Sequence, residues 1–194
     1  MEFQANVAAN EMPAGCIFLT PLGWWGYAYT DAAIVGVVIG NRTESAAWKA
    51  LQSRAGNLTP GNDDTFALKK RIKNYIAGEI DSFQDIPIST KPTTSFQSQV
   101  LQACRQIEHG ETVTYGELAR RAGSPRAARA VGSVMASNVM PVVIPCHRVV
   151  PSSGQFGGFS APGGVTLKKQ LLDLEASCHS DSTHAERTLF AEIV

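Results

Sequence analysis

The pentapeptide Pro145-Cys146-His147-Arg148-Val149 gathers groups that can do chemistry into one short stretch. A free thiol titrates near pH ~8.5, so it needs a base or a positive field to become a nucleophile at neutral pH. An imidazole can accept its proton, and a guanidinium can add positive potential. Pro145 fixes the backbone just before the cysteine and removes one amide donor. Adjacent residues on an extended chain point to opposite sides, so His147 is expected to reach Cys146 through a water or a backbone turn. A carboxylate must then orient the imidazole. Asp173 and Glu175, on an amphipathic segment at 166–175, are both candidates. A buried structural thiol is the competing reading.

The elements that position this segment lie mostly upstream. Phe96, Val100, Leu101, Cys104 and Ile107 recur at helical spacing and predict a helix over 95–107, stopped by Gly110. Val113-Thr114-Tyr115 leads into a short helix at 116–122. Gly123-Ser124 is the expected turn, with Ser124 as N-cap and Pro125 as the first residue of a second helix running to about 137. Two short helices around a glycine turn form a helix-turn-helix, a device for holding DNA. On the second helix, Ala128, Val131 and Met135 share one face. Arg129, Ser133 and Ala136 share another, from which only one long cation projects. Together, thiol and helix-turn-helix suggest a nucleophilic sulfur that acts on DNA.

Charge is informative only in its distribution. The net charge is zero over 194 residues, but it is −1 over 1–92, +3 over 93–176 and −2 over 177–194. The middle surplus falls at Arg120, Arg121, Arg126 and Arg129. A local basic stripe suits phosphate contact; a solvated helix face is the plainer alternative. The cysteines Cys16, Cys104, Cys146 and Cys178 are widely spaced, which favours neither a zinc site nor a disulfide framework. With no signal peptide pattern and no apolar run near ~18 residues, an intracellular, reducing home is expected and no membrane partner.

Three domain-level segments are expected. Residues 1–92 read as a small α/β domain with an antiparallel β-meander: runs at 16–20, 24–29 and 33–39, a helix at 44–55 capped by Thr43, a polar loop at 56–64 and an amphipathic helix at 65–77. Phe66, Leu68, Ile72, Tyr75 and Ile76 are core candidates of that last helix. Residues 85–94, with Pro87 and Pro92, read as a linker. Residues 93–176 form a mostly helical domain, and 177–194 a tail. The fold class is α+β. After the cysteine, Gly154, Gly157, Gly158, Gly163 and Gly164 crowd around Phe156, Phe159 and Pro162, an arrangement that can wall a pocket for a flat ligand.

Pro145-Cys146-His147-Arg148-Val149, preceded by Arg129-Ala130-Val131-Gly132, Asn138 and Pro141, resembles the O6-alkylguanine-DNA alkyltransferases, also called methylated-DNA–protein-cysteine methyltransferases. Val113-Thr114-Tyr115-Gly116-Glu117-Leu118-Ala119 is similar to the family's entry into the helix-turn-helix. The likeness covers about 95–175; Thr20-Pro21-Leu22-Gly23-Trp24 resembles the smaller N-terminal domain more loosely. The resemblance implies a ribonuclease H-like N-terminal domain and minor-groove binding of duplex DNA. A damaged guanine is flipped out, and O6-alkyl transfer (O4-alkylthymine included) occurs once per molecule, with no cofactor. It implies Cys146 as acceptor, His147 as base through a water, Glu175 as its orienter and Asn138 as brace of the active-site turn. Arg129 fills the gap left by the flipped base, with Ala127, Ala128 and Ala130 beside it on the DNA face. Tyr115, Met135, Pro141, Val149, Phe159 and Ser160 form the substrate pocket.

Departures from the family pattern bear on detail. Phe159 stands where some members have tyrosine, which removes a hydroxyl. The loop Ala161-Pro162-Gly163-Gly164 is longer than in some members. His109, His147, His179 and His184 all lie outside the N-terminal domain, so no zinc is expected there. A monomer in the cytoplasm, or in a nucleus, completes the expectation. Two other classes remain open on sequence: a DNA-binding regulator without chemistry, and a cysteine hydrolase using Cys146, His147 and Glu175.

Overall fold

Aromatic and β-branched runs separated by short turns build the meander β1 (Ala14–Thr20), β2 (Gly23–Tyr29) and β3 (Ile34–Asn41). The structure, a computed structural model, describes residues 12–62, 66–90, 94–154 and 158–191, with side chains as far as 178. Antiparallel register sets Phe18 opposite Trp25 and Cys16 opposite Tyr27. Gly23 makes the tight turn at φ 96, where a Cβ would lie 2.8 Å from the Asn41 carbonyl oxygen. Helix α1 (Glu44–Ala55) starts where expected, the Thr43 hydroxyl accepting from the Ala46 amide.

The polar loop that follows contains a two-residue strand, β4 (Thr59–Pro60), parallel to β1. Both its residues are exposed, so hydrophobic alternation left no sign of it. The sheet order is β3-β2-β1-β4. Successive residues of β3 serve opposite faces: Val37 and Ile39 join the main core, whereas Val38 packs with Ala28, Ala47 and Leu51 under α1.

Helix α2 (Leu68–Ile76) buries Leu68, Ile72 and Tyr75 on one face. Its expected start at Thr65 lies outside the described residues. The segment expected as a linker is instead docked. Phe83, Ile86 and Ile88 are buried, and Ile88 bridges to Ile34 on the edge of β3. Ile34 N donates to Pro87 O and Ser89 N to Ile34 O, each at 2.9 Å. Arg71 clamps the segment's approach, bonding both Asp81 and Asp85 and lying over the Phe83 ring. The apolar residues flanking Pro87 outweigh its turn signal.

The second half holds α3 (Ser95–Arg105), β5 (Val113–Thr114), α4 (Tyr115–Arg121), α5 (Ala128–Ala136), a 3₁₀ turn at Cys146–Arg148, β6 (Val149–Val150) and α6 (Gly164–Ala191). Thr94 and Thr114 cap α3 and α4 through their hydroxyls. Ser124 does not cap α5, which begins at Ala128. Its amide instead closes the end of α4, donating to Ala119 O at 2.8 Å, while Gly123 at φ 73 donates to Arg120 O. This pair of bonds is a Schellman closure, and it takes Ser124 out of the second helix. The expected helix at 166–175 is longer as well: α6 continues through Ala191, across the boundary drawn for a separate tail. One cluster of buried residues runs from Cys16 and Tyr27 through Tyr75, Val100 and Val131 to Leu171, so both halves of the chain share a core.

Candidate active site

Cys146 opens a 3₁₀ turn rather than an extended run. Three residues per turn spread successive side chains roughly 120° apart. His147 and Arg148 therefore both reach Glu175 on α6 while Cys146 lines a cavity. Asn138, just beyond α5, pins this geometry. Its Nδ2 donates to Ile144 O at 2.9 Å and to Cys146 Sγ at 3.1 Å, and its Oδ1 accepts from Met140 N at 3.0 Å. Between them Val142 holds φ 73, a costly conformation for a β-branched residue.

Glu175 is the hub. Its Oε1 accepts from His147 Nε2 at 3.0 Å, Arg148 Nη2 at 2.7 Å and the Tyr75 hydroxyl at 2.7 Å. Its Oε2 accepts from Arg148 Nε at 2.9 Å and Gly110 N at 3.1 Å. Burial alone would push this carboxyl up, but hydrogen bonds from His147 and Arg148 hold it well below the usual range. With Nε2 committed to Glu175, the other ring nitrogen, Nδ1, is buried without a partner among the described residues. Burial lowers the His147 pKa against the pull of Glu175, so the ring is neutral at pH 7.

Burial pushes the Cys146 thiol up; Asn138, Lys168 and Arg54 pull the other way without reversing it. The resting group is therefore a thiol that needs a base. The cation beside it is not Arg148, which is spent on Glu175 and Ile107 O. Lys168, buried on α6, donates to Val149 O at 2.5 Å and lines the cavity. Arg54 on α1 bonds Val37 O and, at 3.4 Å, Val139 O, next to Asn138.

The cavity measures about 440 Å³, within the usual range for small-molecule pockets. Tyr115, Gly132, Met135, Ala136, Cys146, Gly158, Phe159, Ser160 and Lys168 line it. Pro141 and Val149, expected in the pocket wall, are buried but do not line it. The Val149 carbonyl is taken by Lys168. Phe156 and Gly157 lie outside the described residues.

Beside the cavity mouth, α5 buries Val131, Val134 and Met135 and exposes Arg129, Ala130, Ser133 and Ala136. Ala127 and Ala128 are half-buried at its start. The basic stripe is shorter than charge counting suggests. Arg120 pairs with Glu117 at 2.8 Å, and Arg121 with Glu111 at 2.7 Å. Arg126 and Arg129 remain exposed.

The family model for the DNA-binding domain of 6-O-methylguanine DNA methyltransferase matches residues 95–177. A methylated-DNA–protein-cysteine methyltransferase of Mycobacterium tuberculosis is 40% identical over 120 residues, 62% of this chain and 68% of that protein. The chain belongs to this methyltransferase family. A Methanosarcina acetivorans member is 40% identical over 109 residues, 56% of this chain and 67% of its own. The crystal structure of the M. tuberculosis OGT in complex with DNA superposes with a TM-score of 0.72 at 30% identity, covering 85% of this chain and 94% of that one. The structure brings Cys146, His147, Asn138 and Glu175, all expected from the sequence, into one site. Tyr75, Lys168 and Arg54 are additions that came from the structure.

Proposed function

We propose that this protein repairs DNA by direct reversal, taking an alkyl group from O6-alkylguanine in duplex DNA onto Cys146 Sγ, once per molecule. The observation that carries this is a cysteine thiol facing a base-sized cavity, braced by Asn138 and followed by a neutral histidine whose Nδ1 is free to accept a proton. In the transfer, the thiol proton leaves for His147 through a water. Sulfur's electron pair forms the S–C bond, and the O6–C bond breaks with its electrons going to the base. The released guanine takes up a proton. Tyr115 is the phenol in the cavity lining and stays protonated, because burial and the nearby Cys146 raise its pKa. It is the group suited to assist that step where Phe159 has no hydroxyl. O4-alkylthymine presents the same alkoxy chemistry and is a second substrate.

In this reading α4 and α5 act as the helix-turn-helix, and α5 enters the minor groove on its small-residue face. That groove is only ~6 Å wide, which suits a helix from which Arg129 alone projects far. Arg129 fills the space of the flipped base and offsets part of the few kcal/mol that unstacking costs. The parallel β1–β4 pair beside an antiparallel meander supports a ribonuclease H-like N-terminal unit. Four free cysteines suit a reducing cytoplasm, and the protein acts as a monomer in this reading.

Incubation with duplex carrying O6-methylguanine should add one methyl mass, on the peptide that holds Cys146, and then stop. Cys146→Ala should lose the transfer and keep its affinity for DNA. Methyl on Cys104 or Cys178, or continued turnover, would overturn the assignment.

A further inference from the structure

The base of this site is held from the other half of the chain. Tyr75 lies on α2, buried between Phe83 and His109, whose rings meet it edge-on at 5.6 and 5.8 Å. Its hydroxyl donates to Glu175 Oε1 at 2.7 Å and lies 3.5 Å from His147 Nε2. We propose that Tyr75 is a positioning residue for alkyl transfer: it fixes the Glu175 oxygen that receives Nε2–H of His147, and so keeps Nδ1 as the proton acceptor. The inference rests on the reading of Cys146 as the alkyl acceptor.

The geometry gives the hydroxyl a task that packing alone does not require. Oε1 is the oxygen shared by Tyr75, His147 and Arg148, and three donors fix its position more tightly than two. The imidazole takes its angle from that oxygen. Small misplacements of reacting groups are expensive, up to about 10²-fold in rate for ~1 Å. Burial and the neighbouring Glu175 charge keep the phenol protonated, so its hydroxyl is available as a donor.

The groups acting on His147 are Glu175 and Lys168 from α6, Tyr75 from α2, and Arg148 from its own turn. Cys146 is its neighbour in that turn, and the His109 ring meets the Tyr75 ring edge-on. Removing the Tyr75 donor leaves more carboxylate charge for the Nε2 proton. That stabilises the imidazolium and raises the pH at which His147 becomes neutral.

The test is single-turnover transfer by Tyr75→Phe at saturating methylated duplex across pH, with thermal melting and DNA affinity measured alongside. The expected plateau is about tenfold slower, a fraction of the ~10²-fold minimum for losing the base itself. Its acid limb should move to higher pH, with DNA affinity unchanged. Placing 3,5-difluorotyrosine at position 75 keeps the ring and strengthens the donor, so its limb should move to lower pH. That variant decides the matter if Tyr75→Phe does not fold. Limbs that stay where the wild type has them, with or without a slower plateau, would reduce Tyr75 to packing and overturn the proposal. A wild-type protein that transfers no methyl would overturn the function itself, a separate and visible result.

Discussion

Replacing Glu175 with glutamine should damage folding before it damages rate. Glu175 and Arg148 are both 1% exposed, and the guanidinium bonds the carboxylate through Nε and Nη2. Glutamine keeps the shape but puts an amide donor among five existing donor atoms, and it leaves the Arg148 charge buried without a counter-charge. Removing one partner of such a pair typically costs about 3–5 kcal/mol. Against a total stability of about 5–15 kcal/mol, that is a large share.

The sign of the pH dependence follows from the direction of the shift. His147 and Arg148 hold the folded carboxyl below its ordinary value of 4.5, despite burial. A group depressed on folding contributes stability above its unfolded pKa and loses it as pH falls through the folded value. The stability gap between wild type and Glu175→Gln should therefore be full at neutral pH. It should narrow progressively below about pH 5. Urea denaturation from pH 7 to pH 3 measures both quantities. Arg148→Met, alone and combined with Glu175→Gln, completes a double-mutant cycle whose coupling should reach about 2 kcal/mol, since contacting charges couple by ~0.5–3. A loss under about 1 kcal/mol at pH 7, the size typical of exposed pairs, would refute the reasoning. So would a gap that ignores pH.

Two further substitutions separate chemistry from binding. His147→Ala should slow single-turnover transfer by at least ~10²-fold with DNA affinity retained; an unchanged rate would remove it as the base. Arg129→Ala should slow transfer even at saturating duplex while free O6-benzylguanine, which needs no flipping, reacts at nearly the wild-type rate. Equal losses with both substrates would mean that Arg129 supports the pocket or the fold.

The candidate nucleophile, Cys146, was legible because proline, cysteine and histidine are contiguous. For its orienting carboxylate the residues alone left Asp173 and Glu175 open and only the family resemblance chose Glu175, yet a usable signal was present. Leu167, Leu171 and Glu175 repeat every fourth residue, so the glutamate shares the buried leucine face while Asp173 is exposed. Lys168 stands seven residues before Glu175 on that same side, and a buried lysine so placed calls for a task. Tyr75 was legible only as core, because its hydroxyl partner is 100 residues away. Arg54, in the last turn of α1, carried no signal in the sequence, because its partners, Val37 and Val139, lie on separate elements. The meander, α1 and α3 followed from local pattern. β4 and the start of α5 did not: the first is set by pairing to β1, the second by the closure of α4.

Contacts from the N-terminal half land on three different walls of the site. Val37 N and Arg54 both bond the Val139 carbonyl, one residue from Asn138, and thus hold the turn that touches the sulfur. Tyr75 holds the Glu175 carboxylate that receives His147. Gly40, at φ 67, lies so close to the loop entering α6 that a Cβ there would sit 2.5 Å from Leu167 and 2.9 Å from the Pro162 carbonyl oxygen. Asn138, the His147–Glu175 pair and the pocket loop are thus referenced to one sheet and its helices. The catalytic motif is confined to the second half of the chain, but its geometry is not. A thiol that must meet a flipped base once, in a fixed orientation, gains from a frame that cannot shift without breaking a shared core.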